Sequence, residues 1–377
     1  MALQKYEVSY SLLGSVWTAI SNVQDIQITI GREAQLDQIK ASTGSFSIRY
    51  PTGYASPITA LVSGTFIRVR NNTSGSPYEV WYGRIDDVTA RYGIPYAGGV
   101  GQADYLDVSM EGFFATVGRM QGNDYAMAAD TAVAQFTAAT IQTGLTLSFF
   151  TSGTSPQIAA TTVSSTWGDW VARICQTTNS RLWDGFSFAN SIVVSPFYST
   201  VSTVNFSDVA NNATNQVYNQ INFGSLADNF YTQVTVTPES FGPATVTNAG
   251  ATVPYRAYQT NTLNASTSQA TDFANYLLAN YGTSRFALTS FTCSAEAQSS
   301  FMLDRIGNSD LFGCAPGTQV SVAFRGTTYQ CIIEGVTMSA TPAGANFTFF
   351  VSGADLNAYL ILDNPTFGRL DFNRLGY

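Results

Sequence analysis

Apolar side chains recur at every second position in short runs, and this period of two most narrows what the chain can fold into. Ile26, Ile28 and Ile30 share one face of such a run, and Phe46, Ile48 and Tyr50 share one face of another. A strand sends successive side chains to opposite faces, so each run predicts a half-buried strand. Further runs over 65–70, 78–88 and 105–113 are separated by Asn71-Asn72-Thr73-Ser74-Gly75-Ser76-Pro77 and by Gly98-Gly99-Val100-Gly101, both rich in turn formers. The glycine run lacks the GxGxxG spacing and a following helix, so it reads as a hairpin tip and not as a phosphate cradle. The first 115 residues are therefore expected to form an antiparallel β domain, a small barrel or sandwich.

After Glu111 the period lengthens to nearly four. Ala129, Val133, Phe136 and Thr140 fall on one helical face, with Gly144 placed as the stop. A second helix is expected from Thr166, whose hydroxyl can cap it while Asp169 sits in the first turn, burying Trp170, Val171 and Ile174. A third spans 266–281, aligning Ala270, Phe273, Leu277 and Tyr281, with Gly282 after it. Strands near 145–150, 191–197, 231–237 and 285–293 accompany these helices, and the Asn- and Gln-rich stretch 210–222 reads as a connection. The middle of the chain is α+β.

Composition limits the chemistry. Only 11% of residues are charged, and Thr, Ser, Asn, Gln, Gly and Tyr take their place. A neutral surface of this kind suits strands and permanent interfaces, where lone charges are costly to desolvate. A chain of 377 residues, 45% of them apolar, can bury two or more cores. The net charge of −8, with no basic run, argues against a grip on nucleic acid, which depends on Lys and Arg displacing counterions. No basic segment followed by an apolar one stands at Met1, and no apolar run approaches the ~18 residues of a membrane span. The expectation is a chain neither exported by the standard route nor inserted in a membrane. Cys175, Cys293, Cys314 and Cys331 match no CxxC spacing and are expected to be reduced, buried and mutually distant.

The chain has no histidine, which removes every His-dependent catalytic or metal site. What survives is chemistry by carboxylates, Lys, Tyr or Cys, such as a glycosidase pair drawn from Asp86, Asp87, Glu111, Asp169, Asp184, Asp304 and Asp310. Adjacent residues such as Asp86 and Asp87 point to opposite faces of a strand and make a poor facing pair.

One internal duplication is visible. Gly64-Thr65-Phe66-Ile67-Arg68-Val69-Arg70, a linker and Tyr78-Glu79-Val80-Trp81-Tyr82-Gly83 are answered by Gly317-Thr318-Gln319-Val320-Ser321-Val322-Ala323, a Gly326-Thr327-Thr328 turn and Tyr329-Gln330-Cys331-Ile332-Ile333-Glu334-Gly335. Each half continues into a final strand, 108–112 and 350–353. Three such chains would present six equivalent β units around one axis and could cap a six-fold tube.

These segments also carry a resemblance that spans most of the chain. The sequence resembles the minor tail or tail-hub proteins of long, noncontractile-tailed phages, especially those of actinobacteria. The matching features are Gly31-Arg32-Glu33 after the opening strand, Gly44-Ser45-Phe46-Ser47-Ile48-Arg49, Gly64-Thr65, and Trp81-Tyr82-Gly83-Arg84-Ile85-Asp86-Asp87. Late in the chain come the helix over 270–278, the Gly317 hairpin, Glu334-Gly335-Val336, and Ile361-Leu362-Asp363 to Leu370-Asp371. The His that often follows the Gly335 position is absent, and Val336-Thr337-Met338 stands there.

The resemblance implies a hub fold shared with contractile-phage baseplate hubs and type VI secretion spikes, mainly β, with two tube-type β-barrel-like domains and peripheral α+β domains. On this reading residues 1–115 are the first tube-type β domain and 116–200 an α+β insert. Residues 201–284 are a connecting α+β domain, 285–355 the second tube-type β domain, open to completion by strands from 201–240, and 356–377 a C-terminal extension. The implied role is a structural, non-enzymatic virion protein of the tail tip, without cofactor or metal and assembled in the host cytoplasm. A homotrimer would continue the tail-tube channel and adapt six-fold to three-fold symmetry, with distal tail or tube proteins above and tip and fibre proteins below. DNA would pass through without specific binding. A lumen that must not hold phosphates should be neutral or acidic, and Asp25, Asp37, Asp86 and Asp87 are the expected contributors. Two other readings stand beside it: a distal-tail or fibre-type module binding host carbohydrate, with Trp167, Trp170 and Trp183 as first candidates although core packing is the commoner role for each, and the carboxylate glycosidase.

Overall fold

The computed structural model describes residues 6–50, 60–71, 78–93, 103–149, 155–184, 191–195, 200–209, 215–225, 230–250, 256–282, 286–294 and 314–353. The glycine tip at 98–101, Asp304, Asp310 and the extension from 356 lie outside these residues. The chain is mainly β, with four helices among the described residues, and its centre is a 14-stranded sheet.

That sheet consists of two units built alike. In the first, the spatial order is Val23–Gly31, Thr43–Tyr50, Asp104–Glu111, Tyr78–Arg91, Phe66–Asn71 and Tyr6–Ser11, every neighbour antiparallel. In the second it is Gln220–Ser225, Phe286–Ser294, Gly344–Gly353, Thr327–Thr341, Thr318–Phe324 and Thr200–Ser207. Only the last step differs, because Thr200–Ser207 runs parallel to its neighbour.

Register shows that the duplication is real and corrects its alignment. The long strand of each unit slips by one residue against its neighbour, between Ile85 and Asp87 in the first and between Ile333 and Gly335 in the second. Asp86 and Glu334 are therefore the same bulge residue. Gly64 donates to the Ile85 carbonyl at 2.8 Å and Gly317 to the Ile333 carbonyl at 2.7 Å. Both glycines have left-handed backbones, φ +89° and +93°. Ile85-Asp86-Asp87-Val88-Thr89 thus answers Ile333-Glu334-Gly335-Val336-Thr337, and the partner of Gly335 is Asp87, not Gly83. The 71–78 connection is longer than the two-residue Arg325-Gly326 turn, whose positive φ values of +48° and +82° make a tight hairpin. This difference in length is why Gly83 and Gly335, alike in local sequence, are not structural equivalents.

A single apolar core lies under both units. Ile26, Ile28, Phe46, Ile48, Trp81 and Val108 from the first meet Phe206, Phe291, Val322, Met338 and Phe349 from the second. Phe206, Phe291 and Phe349 pack as a ring cluster, with centroids 4.5 to 5.4 Å apart.

Two smaller bodies interrupt the sheet. Between the units, α1 (Phe113–Arg119), α2 (Ala132–Thr143), α3 (Trp167–Thr177) and short strands enclose a second core around Phe136, Trp170 and Ile174. Within the second unit, between Gln220–Ser225 and Phe286–Ser294, α4 (Thr267–Tyr281) lies on a three-stranded sheet and buries Val234, Ala270, Ala274 and Leu277. In the first unit the corresponding link is only the 32–42 loop.

The helix signals act as their chemistry demands. Thr166 and Asp169 form a reciprocal capping box, and Gly144 ends α2 in the left-handed conformation. The buried stripe of α2 is Ala132, Gln135, Phe136, Ala139 and Thr143, whereas Val133 is exposed. The expected Val133 and Thr140 face was turned by the Gln135 amide, which points inward to the Ala128 and Ala159 carbonyls. The strand expected over 105–113 stops at Glu111, and Phe113 opens helix α1 instead. The stretch 210–222, expected to be a connection, contributes the strand Asn215–Val217 and the start of Gln220–Ser225.

All four cysteines are buried free thiols. Burial pushes Cys175 and Cys331 up to about 12. It also raises Cys293, with Cys314 adding to the rise.

Candidate assembly site

The two units meet edge to edge. Val23–Gly31, an edge strand of the first, pairs antiparallel with residues 335–340 of the second, from Gly31 opposite Gly335 to Ile26 opposite Ala340. Thr29 and Thr337 face each other with hydroxyls 3.3 Å apart. At the bulge the backbones close to a distance only glycine permits. A Cβ on Gly31 would stand 2.4 Å from the Glu334 carbonyl oxygen, and one on Gly335 would stand 2.5 Å from the Arg32 carbonyl oxygen. The Arg32 amide donates to the Glu334 carbonyl at 3.0 Å, so the chain is tied as it leaves the strand.

Glu334 then fixes three parts of the molecule at once. Its carboxylate receives the Arg32 Nε at 3.0 Å from the first unit and the Arg181 Nε at 3.0 Å from the inserted body. Arg181 adds a second bond to the other oxygen, which Ser352 also reaches. The carboxylate is wholly buried and both guanidinium groups nearly so. Burial alone would raise its pKa, but the Arg181 and Arg32 charges and the Arg181 and Ser352 hydrogen bonds outweigh that and hold it at about 2. A buried ion pair is weak evidence for net stability, yet removing one partner leaves an uncompensated charge. The arrangement therefore specifies how the three parts meet.

A second buried carboxylate acts nearby. Asp184 accepts from the Ser42 amide at 2.9 Å and the Phe114 amide at 2.8 Å, while Ser42 accepts from the Trp81 indole at 2.9 Å. Burial raises its pKa against the lowering effect of those bonds. Asp184 thereby holds the start of α1 against the first unit. Asp184 is wholly buried; of the other proposed glycosidase carboxylates, Asp169 lies in its capping box, Glu111 is bound by Arg119, and Asp86 and Asp87 are neighbours on an exposed strand edge. Among the described residues no group of three His, Cys, Asp or Glu could hold a metal, and no described helix is long and apolar enough to cross a membrane. Trp167, Trp170 and Trp183 are buried core residues, as core packing predicts, and none is the exposed platform that the carbohydrate-binding alternative requires.

Opposite the core, the large sheet presents a polar face. Strand alternation places Asn222, Ser290, Thr292, Thr348, Thr337, Thr29, Gln27, Ser45, Ser47, Asp107 and Thr89 along it in spatial order. Cross-strand hydrogen bonds tie it together: Asn222 to Ser290 at 3.0 Å, Thr292 with Thr348 at 2.9 Å and Ser47 to Asp107 at 2.7 Å.

The four expected lumen carboxylates fall in different places. Asp87 pairs with Ser109 and so stands on the polar face. Asp25 bulges opposite Ser47, between the Val23 and Ile26 pairings, and is exposed. Asp86 is the exposed bulge residue, 3.7 Å from Arg119. Asp37 lies beyond the strand, in a turn where it accepts from the Ala34 amide at 2.8 Å. The acidic residue that sequence reasoning missed is Asp107, near one edge of the polar face, where the hydrogen bond from Arg91 lowers its pKa. Its alternation with Leu106 and Val108 was visible in the sequence, but the pairing with Arg91 was not.

This is the fold of phage tail proteins. Over 93% of this chain and 98% of its own, the 43 kDa tail protein of prophage MuSo2 from Shewanella oneidensis superposes with a TM-score of 0.63 at 14% identity. A tail protein from Neisseria meningitidis MC58 gives 0.62 at 14% identity, over 93% and 97% of the two chains. Prophage tail protein gp18 from Listeria monocytogenes EGD-e gives 0.51 at 10% identity, over 94% and 96%. Neither a family model nor a curated relative matches the sequence.

Proposed function

We propose that the chain is a structural hub of a phage tail tip, acting as a homotrimeric ring that continues the tail-tube channel and adapts its six-fold symmetry to three-fold. The observation that carries this is the joining of two like-built β units, edge to edge, in one chain. A single unit would suffice for a six-membered ring of identical subunits. Two units fused with unlike insertions give six similar wall segments from three chains and leave three-fold features outside. The buried Glu334 cluster suits this role, since it makes the angle between the units a fixed property of the chain. Tail or tube proteins would stack on one rim and tip or fibre proteins on the other.

The polar sheet face is the proposed channel wall. Its Ser, Thr, Asn and Gln side chains offer DNA few fixed charges: Arg91 on this face is neutralised by Asp107, and Arg49 stands against the exposed carboxylates of Asp25 and Asp87. Without a surplus of Lys and Arg there is little counterion release to hold a passing duplex. Native mass measurement of the purified chain, followed by averaged images of the particles, tests the reading. A three-chain ring with an open centre is expected. A monomer at all concentrations, or a ring whose polar sheet face points outward, would overturn it.

A further inference from the structure

The joint between the units also indicates how one copy would meet the next. In the second unit, residues 335–340 of Thr327–Thr341 are flanked by Gly344–Gly353 on one side and by Val23–Gly31 on the other. Val336, Met338 and Ala340 are consequently buried. In the first unit the matching half of Tyr78–Arg91 pairs with Asp104–Glu111 on one side only among the described residues. Phe66–Asn71 stops at Arg84, and the Gly64 and Thr65 backbone reaches no further than Ile85. Asp86, Asp87, Thr89, Ala90 and Arg91 are exposed, and Tyr92 is 67% exposed. Among the described residues, the edge covered in one unit is bare in its counterpart.

The strand that would cover it is also present. Val23–Gly31 corresponds to Gln220–Ser225, since Ile26 pairs with Phe46 as Ile221 pairs with Phe291, and Gln27 with Ser45 as Asn222 with Ser290. Gln220–Ser225 pairs only with Phe286–Ser294 among the described residues. Its Ile221 and Phe223 are half-buried against the shared core, as is Val88 at the other edge. Each end of the sheet thus carries one half of a joint whose complete form exists inside the chain. Exposed edges of this kind are templates for pairing.

We infer that Gln220–Ser225 of one copy adds antiparallel to residues 88–92 of a second copy. The within-chain register, transferred residue by residue, sets Gly224 opposite Thr89 as Thr29 is opposite Thr337, and Asn222 opposite Arg91 as Gln27 is opposite Ser339. The inference rests on the ring reading and specifies its contact. The two joints cannot be identical throughout. Asp87 stands where Gly335 admits the neighbouring backbone, so the strands must part there and the intermolecular ladder is confined to 88–92.

Cysteine pairing in the full-length chain tests this. Facing residues of adjacent antiparallel strands have Cα atoms ~4.5–5.5 Å apart, within the ~4.4–6.8 Å that a disulfide spans. The four native thiols are buried and contribute little background. Under diamide, which takes up the two electrons and two protons of the thiols, a chain carrying both Thr89→Cys and Gly224→Cys should convert to covalent three-chain species. Neither single variant should do so, and Asp87→Cys with Gly224→Cys, two residues out of register on the same face, should cross-link several-fold less. Three-chain particles without cross-linking at 89 and 224, or with stronger cross-linking of the displaced pair, would overturn this contact and leave the ring standing. Absence of three-chain particles from the unmodified chain would overturn both.

Discussion

The two long strands, Tyr78–Arg91 and Thr327–Thr341, are copies of one element in opposite circumstances. Both bulge at one acidic residue after an isoleucine that receives a glycine amide. In the second, the acid is Glu334, buried beneath two arginines with glycine beside it. In the first, the acid is Asp86, half-exposed, with Asp87 in place of the glycine. The backbone plan is shared, and what differs is whether another strand lies across it. Sequence at the bulge therefore records tertiary surroundings, not secondary structure.

The sharpest test of that contrast is to neutralise each acid. Glu334→Gln leaves the Arg32 and Arg181 charges buried without a counterion and should cost ~3–5 kcal/mol in denaturant unfolding. Asp86→Asn, at the same structural position, should change stability by less than ~0.5 kcal/mol. Equal costs at the two sites would show that the bulge itself, and not its cover, sets the energetics.

Acid should act on the same cluster. The folded-state pKa of Glu334, about 2, lies below its ordinary value of 4.5, so its contribution is complete above about pH 4.5 and is lost as the pH falls toward 2. Asp184 acts in the opposite sense, because its raised pKa makes ionisation within the fold costly as the pH climbs past the usual carboxylate range. Unfolding of the parent chain followed from pH 6 to pH 2 should lose ~3 kcal/mol through Glu334. The Glu334→Gln chain should show a flatter acid limb, and parallel limbs would remove Glu334 as the group responsible.

Gly335→Ala comes next in size. Its Cβ would meet the Arg32 and Ile30 backbones, neither of which can rotate away, so ~1–3 kcal/mol should be lost, while Asp87→Ala should be close to neutral. Thermal unfolding of the two single variants gives the comparison directly.

How far all this could be read from the sequence follows from the same distinction. The period-two runs, the Thr166 and Asp169 capping box and the Gly64 and Gly317 turns are local, and each appears in the structure as its chemistry requires. The Glu334 cluster joins residues 32, 181 and 334, far apart in the chain, and nothing in the spacing of two arginines and a glutamate announces it. The 215–225 strands were hidden for a different reason. Asn and Gln usually mark loops, but here Gln220 and Asn222 face the polar side of a sheet whose ladder carries them, and Gln216 is buried opposite Phe206, so local propensity was overridden by pairing. The polar composition of the proposed wall is what obscured the strand.

The smallest expected effect is also the one that reaches between the two joints. Inside the chain, Thr29 and Thr337 exchange a hydroxyl contact across the pairing, and cross-strand pairs of this kind contribute ~0.2–1 kcal/mol. Thr337→Ala should cost that much in the unfolding of a single chain. At the inferred intermolecular joint Thr89 faces Gly224, which has no side chain to answer it. Gly224→Thr would restore the pair, and its new Cβ meets only the Thr289 side chain, at 3.2 Å, which can turn aside. The three-chain particle should then dissociate at a lower concentration, by a factor corresponding to the same ~0.2–1 kcal/mol per contact. A strand residue replacing glycine can also stabilise the separate chain, so dissociation must be compared in a background carrying Thr89→Ala. If the gain survives without Thr89, it belongs to the strand alone. If it disappears, Gly224 and Thr89 face each other across the ring as Thr29 and Thr337 do within the chain.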